Sequence, residues 1–153
     1  MRSIIKIATI TLAVAFVGIQ FIPPDFSDPS TNAESSIAAP TDVANVFRRS
    51  CFDCHSNETV YPWYSQIAPA SWLLADHIRV GRSELNFNEW NAYSADRRSR
   101  KLDEICEQVR AGEMPLASYL WLHHSADLSD GDADLLCEWT DAEKSRIADA
   151  QPD

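Results

Sequence analysis

Five consecutive residues, Cys51, Phe52, Asp53, Cys54 and His55, form the pattern C-x-x-C-H. Two thiols at that spacing reach neighbouring vinyl groups on one edge of a porphyrin, while the histidine that follows directs its imidazole to the iron; this is the pattern of haem c attachment. Thioether bonds retain haem outside the cytoplasm, and imidazole is a good donor to iron that cycles between two oxidation states. The pentapeptide alone leaves two alternatives, because C-x-x-C also serves as a dithiol redox centre or as half of a structural zinc site. A dithiol centre wants a β-α-β setting, and a zinc site wants a second pair of ligands at close spacing, whereas Cys106 and Cys137 stand alone and far apart. The reading is therefore one covalently attached haem c, with Cys51 and Cys54 as attachment points and His55 as proximal iron ligand.

Met114 is the only methionine apart from Met1 and is the candidate sixth ligand. Gly112 ahead of it and Pro115 behind would fix a turn that presents the sulfur. A thioether favours ferrous iron, and His/Met ligation raises the reduction potential relative to His/His; the competing role is a core methionine filling space. His77 and His123 are the competing ligands, although a structural role is the ordinary one for such residues. Either could hydrogen-bond a haem propionate or a backbone carbonyl, and Arg79 or Arg82 could pair with a propionate. His124 reads as a solvated surface residue. Tyr61, Trp63, Tyr64 and Trp72 are expected to wall the haem and exclude water, or to serve as ordinary core.

The elements that must position these groups are helical. Thr41 can cap a helix in which Asp42 suits the positive first turn and Val43, Val46 and Phe47 share one face, and that helix runs into Cys51. A second helix is predicted from near Pro69 to a stop at Gly81, and a short one near Asn88. Leu102, Ile105, Cys106 and Val109 fall on one stripe of an amphipathic helix that Gly112 ends, with Met114 directly after. Ser129 can cap a last helix carrying Leu135, Leu136 and Trp139, and no segment alternates like a strand. The fold class is mainly α. With Cys51 and Cys54 committed to haem, Cys106 and Cys137 remain as an even pair in an oxidising compartment, each on a predicted helix. A disulfide is expected, closing a loop of about 30 residues and contributing roughly 3 to 4 kcal/mol; the alternative is two buried free thiols.

The first residues, MRSIIKIATITLAVAFVGIQFIPP, put Arg2 and Lys6 ahead of an uncharged apolar run. This is an export signal. Small residues suited to cleavage do not follow the run, so an uncleaved anchor is favoured, with cleavage near Ala33 or Ala38 as the alternative. Ile4 to Ile22 approaches the ~20 residues a helix needs to cross ~30 Å of hydrocarbon, and the basic end would stay cytoplasmic. The organisation expected is a signal anchor or signal peptide over 1–22, a flexible spacer over 23–40, reaching roughly 60 Å if fully extended, and a haem-binding domain over 41–148. The domain would then lie in the periplasm.

The chain has 153 residues, 45% hydrophobic and 24% charged, with room for one compact domain. Its net charge is -10; setting aside Arg2 and Lys6 leaves 11 basic against 23 acidic residues, about -12 for the remainder. Such a body avoids nucleic acid and anionic headgroups and would be steered toward basic surfaces of redox partner proteins. Simple solubility explains the same charge.

The segment CFDCHSNETVYPWYSQIAPASWLLADHIRVGRSELNFNEW, together with GEMPLASYLWLHHSA and LSDGDADLLCEW, resembles the bacterial haem-binding domain family of small membrane-tethered c-type cytochrome modules. The likeness covers nearly everything from Cys51 to Trp139, and the order of the blocks is more specific than any one motif. The resemblance implies a small cytochrome c-like helical domain behind an N-terminal membrane or signal helix. It carries Cys51, Cys54 and His55 over as haem attachment and proximal ligand, Met114 in the GEMP block as sixth ligand, and His77 and His123 as family histidines; specific partners are not implied. The leading function is one-electron transfer at the periplasmic face. The alternatives are a haem enzyme of the peroxidase type, which needs an open or displaceable sixth site and a distal acid–base group, and a redox or gas sensor.

Overall fold

The computed structural model describes residues 1–150, and among them every regular element is helical. Helix α1 (Arg2–Ile19) has no buried residue and is long and apolar enough to cross a membrane. Helix α2 (Thr41–Ser50) buries Val43, Val46 and Phe47, the face expected from their spacing. Thr41 is the first helical residue rather than a cap, a shift of one position at a helix end. One turn, α3 (Phe52–His55), follows directly.

Helix α4 (Ala70–Glu84) continues three residues past Gly81, where a stop was expected. The short helix expected near Asn88 is a 3-10 turn over Phe87–Ala92, with the Asn86 side chain accepting from the backbone N–H of Asn88. Helix α5 (Ala95–Arg110) buries Leu102 and Ile105 and ends at Gly112, whose φ of 68° is the left-handed conformation that glycine supplies without penalty. A short helix α6 (Ala117–Leu120) precedes α7 (Asp130–Asp149). Ser129 and Asp132 form a reciprocal capping box at the start of α7.

The core lies where α2, α5 and α7 meet the Phe87–Ala92 turn, and its largest fully buried side chains are Trp90, Phe47 and Phe87. Phe47 sits 4.7 Å from Phe87 and meets Trp139 edge-on at 5.4 Å, so truncating it to Ala would cost about 3–5 kcal/mol. Helices α5 and α7 pack along each other and are joined by the Cys106–Cys137 disulfide. The expected bridge is therefore present, and it locks two core helices together.

A buried polar network holds the chain after His55. Asn57 donates its backbone N–H to the Asn88 side chain at 2.7 Å and accepts from Asn86 at 2.9 Å, while Asn88 donates to Glu58 and Ser36. Each amide is satisfied, as buried amides must be to avoid a desolvation cost of about 1–3 kcal/mol. Segment 23–40 lies against the domain. Ile37 donates its backbone N–H to Phe87, Tyr61 donates to Asp28, and Phe26 packs on Tyr61 with ring centres 4.8 Å apart.

Candidate haem site

Helix α2 delivers Cys51 at its C-terminus, and the Cys51 carbonyl accepts from the backbone N–H groups of both Cys54 and His55, at 3.2 and 3.0 Å. The C-x-x-C-H residues are thus wound into one helical turn. Phe52 stacks on Phe87 at 5.3 Å, and the His55 ring meets the edge of that same phenylalanine at 6.3 Å. The turn is seated on α4 through Gly81, where an added Cβ would lie 2.6 Å from the Cys54 carbonyl oxygen. Gly81 therefore permits a close approach of two backbones rather than ending a helix.

The His55 Nδ1 lies 3.0 Å from the Leu85 carbonyl oxygen, an acceptor, so the ring donates there and its Nε2 carries the free lone pair. Burial holds the His55 pKa below its ordinary value, and the hydrogen bond to Leu85 opposes that shift. A neutral imidazole, oriented through one nitrogen by a backbone carbonyl and open at the other, is the arrangement a metal ligand requires.

Cys51, His55 and Met114 line one cavity of about 310 Å³, within the size range of sites for small ligands and cofactors. Phe47, Leu85, Phe87, Ile105 and Val109 supply apolar side chains to its wall. Met114 reaches it through the end of α5: Gly112 donates to Val109, and Glu113 and Met114 both donate to the Gln108 carbonyl. That is a Schellman ending extended by one residue, and it fixes the backbone on which Met114 sits. Cys54 is half-buried with a free thiol and is not part of the cavity wall. The wall is otherwise apolar except at Ser50 and along one edge, where Lys101 lies between Glu104 at 2.5 Å and Glu84 at 3.5 Å beside Gln108. This edge was missed in the sequence, although Lys101, Ile105 and Gln108 follow the i, i+4, i+7 spacing of a single helix face.

The remaining candidates lie elsewhere. Neither His77 nor His123 lines the cavity. His123 stacks flat on Tyr119 at 4.0 Å, and the Tyr119 hydroxyl donates to Asp53 at 2.6 Å, so this pair supports the C-x-x-C-H turn from outside. Burial, and then the bond to Asp53, push the Tyr119 pKa up. Arg82 donates to the carbonyls of Ser56 and Ser27, to Asp28 and to Thr59, using four of its five N–H groups to tie the connector to the chain after His55. Arg79 pairs on the surface with Asp76. Tyr61, Trp63, Tyr64 and Trp72 do not wall the cavity; its rings are Phe47 and Phe87. Tyr61 and Trp72 instead line a second hollow between α4 and the connector.

The thiol chemistry separates the possible uses of C-x-x-C. Burial pushes the Cys51 thiol up to about 12, assisted by Cys54, and the Cys54 thiol up to about 11, assisted by Asp53. A dithiol oxidoreductase needs a nucleophilic cysteine with its pKa lowered, the opposite shift. A structural zinc site needs four ligands, and Cys106 and Cys137 are consumed by their disulfide. No group of three or more His, Cys, Asp or Glu able to hold a metal ion occurs among the described residues. An apolar cavity with two free thiols nearby, an imidazole on its wall and a thioether across its lining suits a haem better than either alternative.

No curated protein and no solved structure matches the chain significantly. A sequence model of the haem-binding domain family matches residues 14–142, from the last turns of α1 into α7, and so takes in the C-x-x-C-H turn, Met114 and the disulfide helices. The chain belongs to the haem-binding domain family.

Proposed function

We propose that this chain is a membrane-anchored c-type cytochrome module that carries single electrons on the periplasmic side. Cys51 and Cys54 would hold the haem through thioether bonds, and His55 and Met114 would be its axial ligands. The observation that carries the reading is that His55 and Met114, 59 positions apart in the chain, line the same apolar cavity as Cys51. When bound, haem supplies iron that exchanges one electron. The protein's part is to present the His55 Nε2, exclude water with Phe47, Phe87 and Ile105, and hold Met114 through the Gln108 carbonyl.

Arg2 and Lys6 ahead of the apolar run favour a cytoplasmic N-terminus and hence a periplasmic domain. The domain proper is taken as 41–148, behind an anchor over 1–22 and a connector over 23–40. A carrier is favoured over a peroxidase-like enzyme because neither His77 nor His123, the histidines able to act as a distal acid or base, borders the cavity. The acidic body suits redox partners with basic docking surfaces. Haem staining after denaturing electrophoresis tests the attachment: the parent should stain, and the variant carrying both Cys51→Ala and Cys54→Ala should not. Persistent stain in the double variant would contradict covalent attachment at these residues.

A further inference from the structure

The surface is uneven in charge. In a chain that is 24% charged, residues 60–75 contain no Asp, Glu, Lys or Arg, and neither do residues 114–126. The two stretches are neighbours in space, because the Tyr64 ring meets His123 at 5.9 Å and Trp63 packs edge-on to Tyr64. Between them they expose Trp63, Ile67, Leu73, Trp121 and Leu122, from 39% for Ile67 to 76% for Trp121. Large apolar side chains grouped in this way mark an interaction surface.

Its position identifies what it meets. Gln20, directly after α1, grips Ala68 by both backbone groups: its amide donates to the Ala68 carbonyl at 3.1 Å, and its oxygen accepts from the Ala68 N–H at 2.9 Å. Trp72 adds an indole N–H to the Ile22 carbonyl at 2.9 Å. The end of the apolar helix is therefore fastened to Ala68 and Trp72, which adjoin Ile67 and Leu73 of the exposed face. These ties hold Ile67 and Leu73 beside the point where α1 would leave the hydrocarbon, near the headgroup depth that tryptophan and uncharged amphipathic surface favour.

We propose that Trp63, Ile67, Leu73, Trp121 and Leu122 rest on the headgroup–acyl boundary of the leaflet from which α1 emerges, so that the domain lies on the membrane rather than standing off on a spacer. This inference rests on α1 being a span. Neutrality suits a zwitterionic surface: the acidic remainder of the domain would be repelled by anionic lipid, and this face brings no charge to desolvate. The clasp at Gln20 and the contacts of Arg82 with Ser27 and Asp28 fix the orientation, since they leave the connector little slack.

The haem-loaded full chain in phosphatidylcholine vesicles tests this, with p-benzoylphenylalanine in place of Trp63, Trp121, Phe16 or Ser145, one at a time. After irradiation, intact mass should show a one-lipid adduct from positions 63, 121 and 16, and almost none from exposed Ser145 on α7. Adducts from position 16 without adducts from 63 or 121 would leave the span standing and overturn the docked face. Adducts from none of the four would overturn the span and the docking together. An adduct at 63 or 121 with the mass of a second chain would assign the face to self-association and overturn lipid docking.

Discussion

Gly81 faces the backbone of Cys54 so closely that a Cβ there would stand 2.6 Å from the Cys54 carbonyl oxygen. Two effects of Gly81→Ala oppose each other. Helix propensity alone would favour Ala by about 0.5–1 kcal/mol, whereas overpacking against backbone costs about 1–3 kcal/mol. The second wins because a carbonyl in a hydrogen-bonded turn cannot move aside like a flexible side chain. Gly81→Ala should lower the unfolding midpoint and reduce the fraction of protein carrying haem. Gly131→Ala is the control, since its added Cβ meets only the Ser129 hydroxyl at an ordinary 3.8 Å; it should leave haem loading unchanged. Equal behaviour of the two variants would show that the close approach does not matter.

The Cys106–Cys137 bridge spans 31 positions and joins α5 to α7. Constraint of the unfolded chain should contribute about 3 to 4 kcal/mol. Alkylation of the unfolded, unreduced protein should label neither cysteine, and labelling of both should follow reduction. The reduced protein should unfold at clearly lower denaturant concentration. Met114 follows α5 directly, so reduction should also broaden the haem spectrum's response to denaturant.

Asp132 links the start of α7 to the helix that carries Cys51. It accepts from Ser129 in the capping box and pairs with Arg49 of α2 at 2.9 Å. The Ser129 hydrogen bond, with Arg49 adding to it, holds the Asp132 carboxyl below its ordinary value of 3.8. A depressed folded-state pKa adds stability that is present above the unfolded value and lost as pH falls through the folded one. This contribution to thermal stability should therefore be full and independent of pH near neutrality and should be lost below about pH 4. Ser129→Ala should cost about 0.5–2 kcal/mol at neutral pH and flatten the acid limb, which melting curves from pH 2 to 7 would reveal.

Pro23 and Pro24 follow α1 with no small residues between, and the Ile22 carbonyl beside them accepts from the Trp72 indole N–H. The mature protein should keep its N-terminus and sediment with membranes. Intact mass decides the matter: a form beginning after Ala33 or Ala38 would remove the anchor and leave the haem site as described.

What could be read from the residues was what depends on neighbours in the chain. The C-x-x-C-H turn, the buried face of Val43, Val46 and Phe47, the Gly112 ending and the Ser129 cap are local, and each lies where its spacing predicts. Met114 stood out because no other internal methionine exists. Gly81 misled because an ordinary helix stop and a glycine required by a crossing backbone look alike until Cys54 is opposite it. The placement of the aromatics was not legible for a related reason: Trp72 borders the connector and Trp63 the uncharged face, while Phe47 and Phe87 line the cavity that holds His55 and Met114, and only the fold sorts them. Lys101 was hidden because a lysine on a charged helix normally faces solvent, and only the fold brings Glu84 beside it.

The most direct measurement is the optical spectrum of the purified haem protein, oxidised, reduced, and reduced under carbon monoxide, for the parent and for Met114→Ala. With His55 and Met114 both on the iron, the parent should be low-spin in both states and should not take up carbon monoxide. Met114→Ala should keep its covalent haem, turn high-spin or capture another ligand, bind carbon monoxide readily and show a lower reduction potential. A parent that binds carbon monoxide at once, or a Met114→Ala variant whose spectrum and potential match the parent's, would contradict the His55–Met114 assignment.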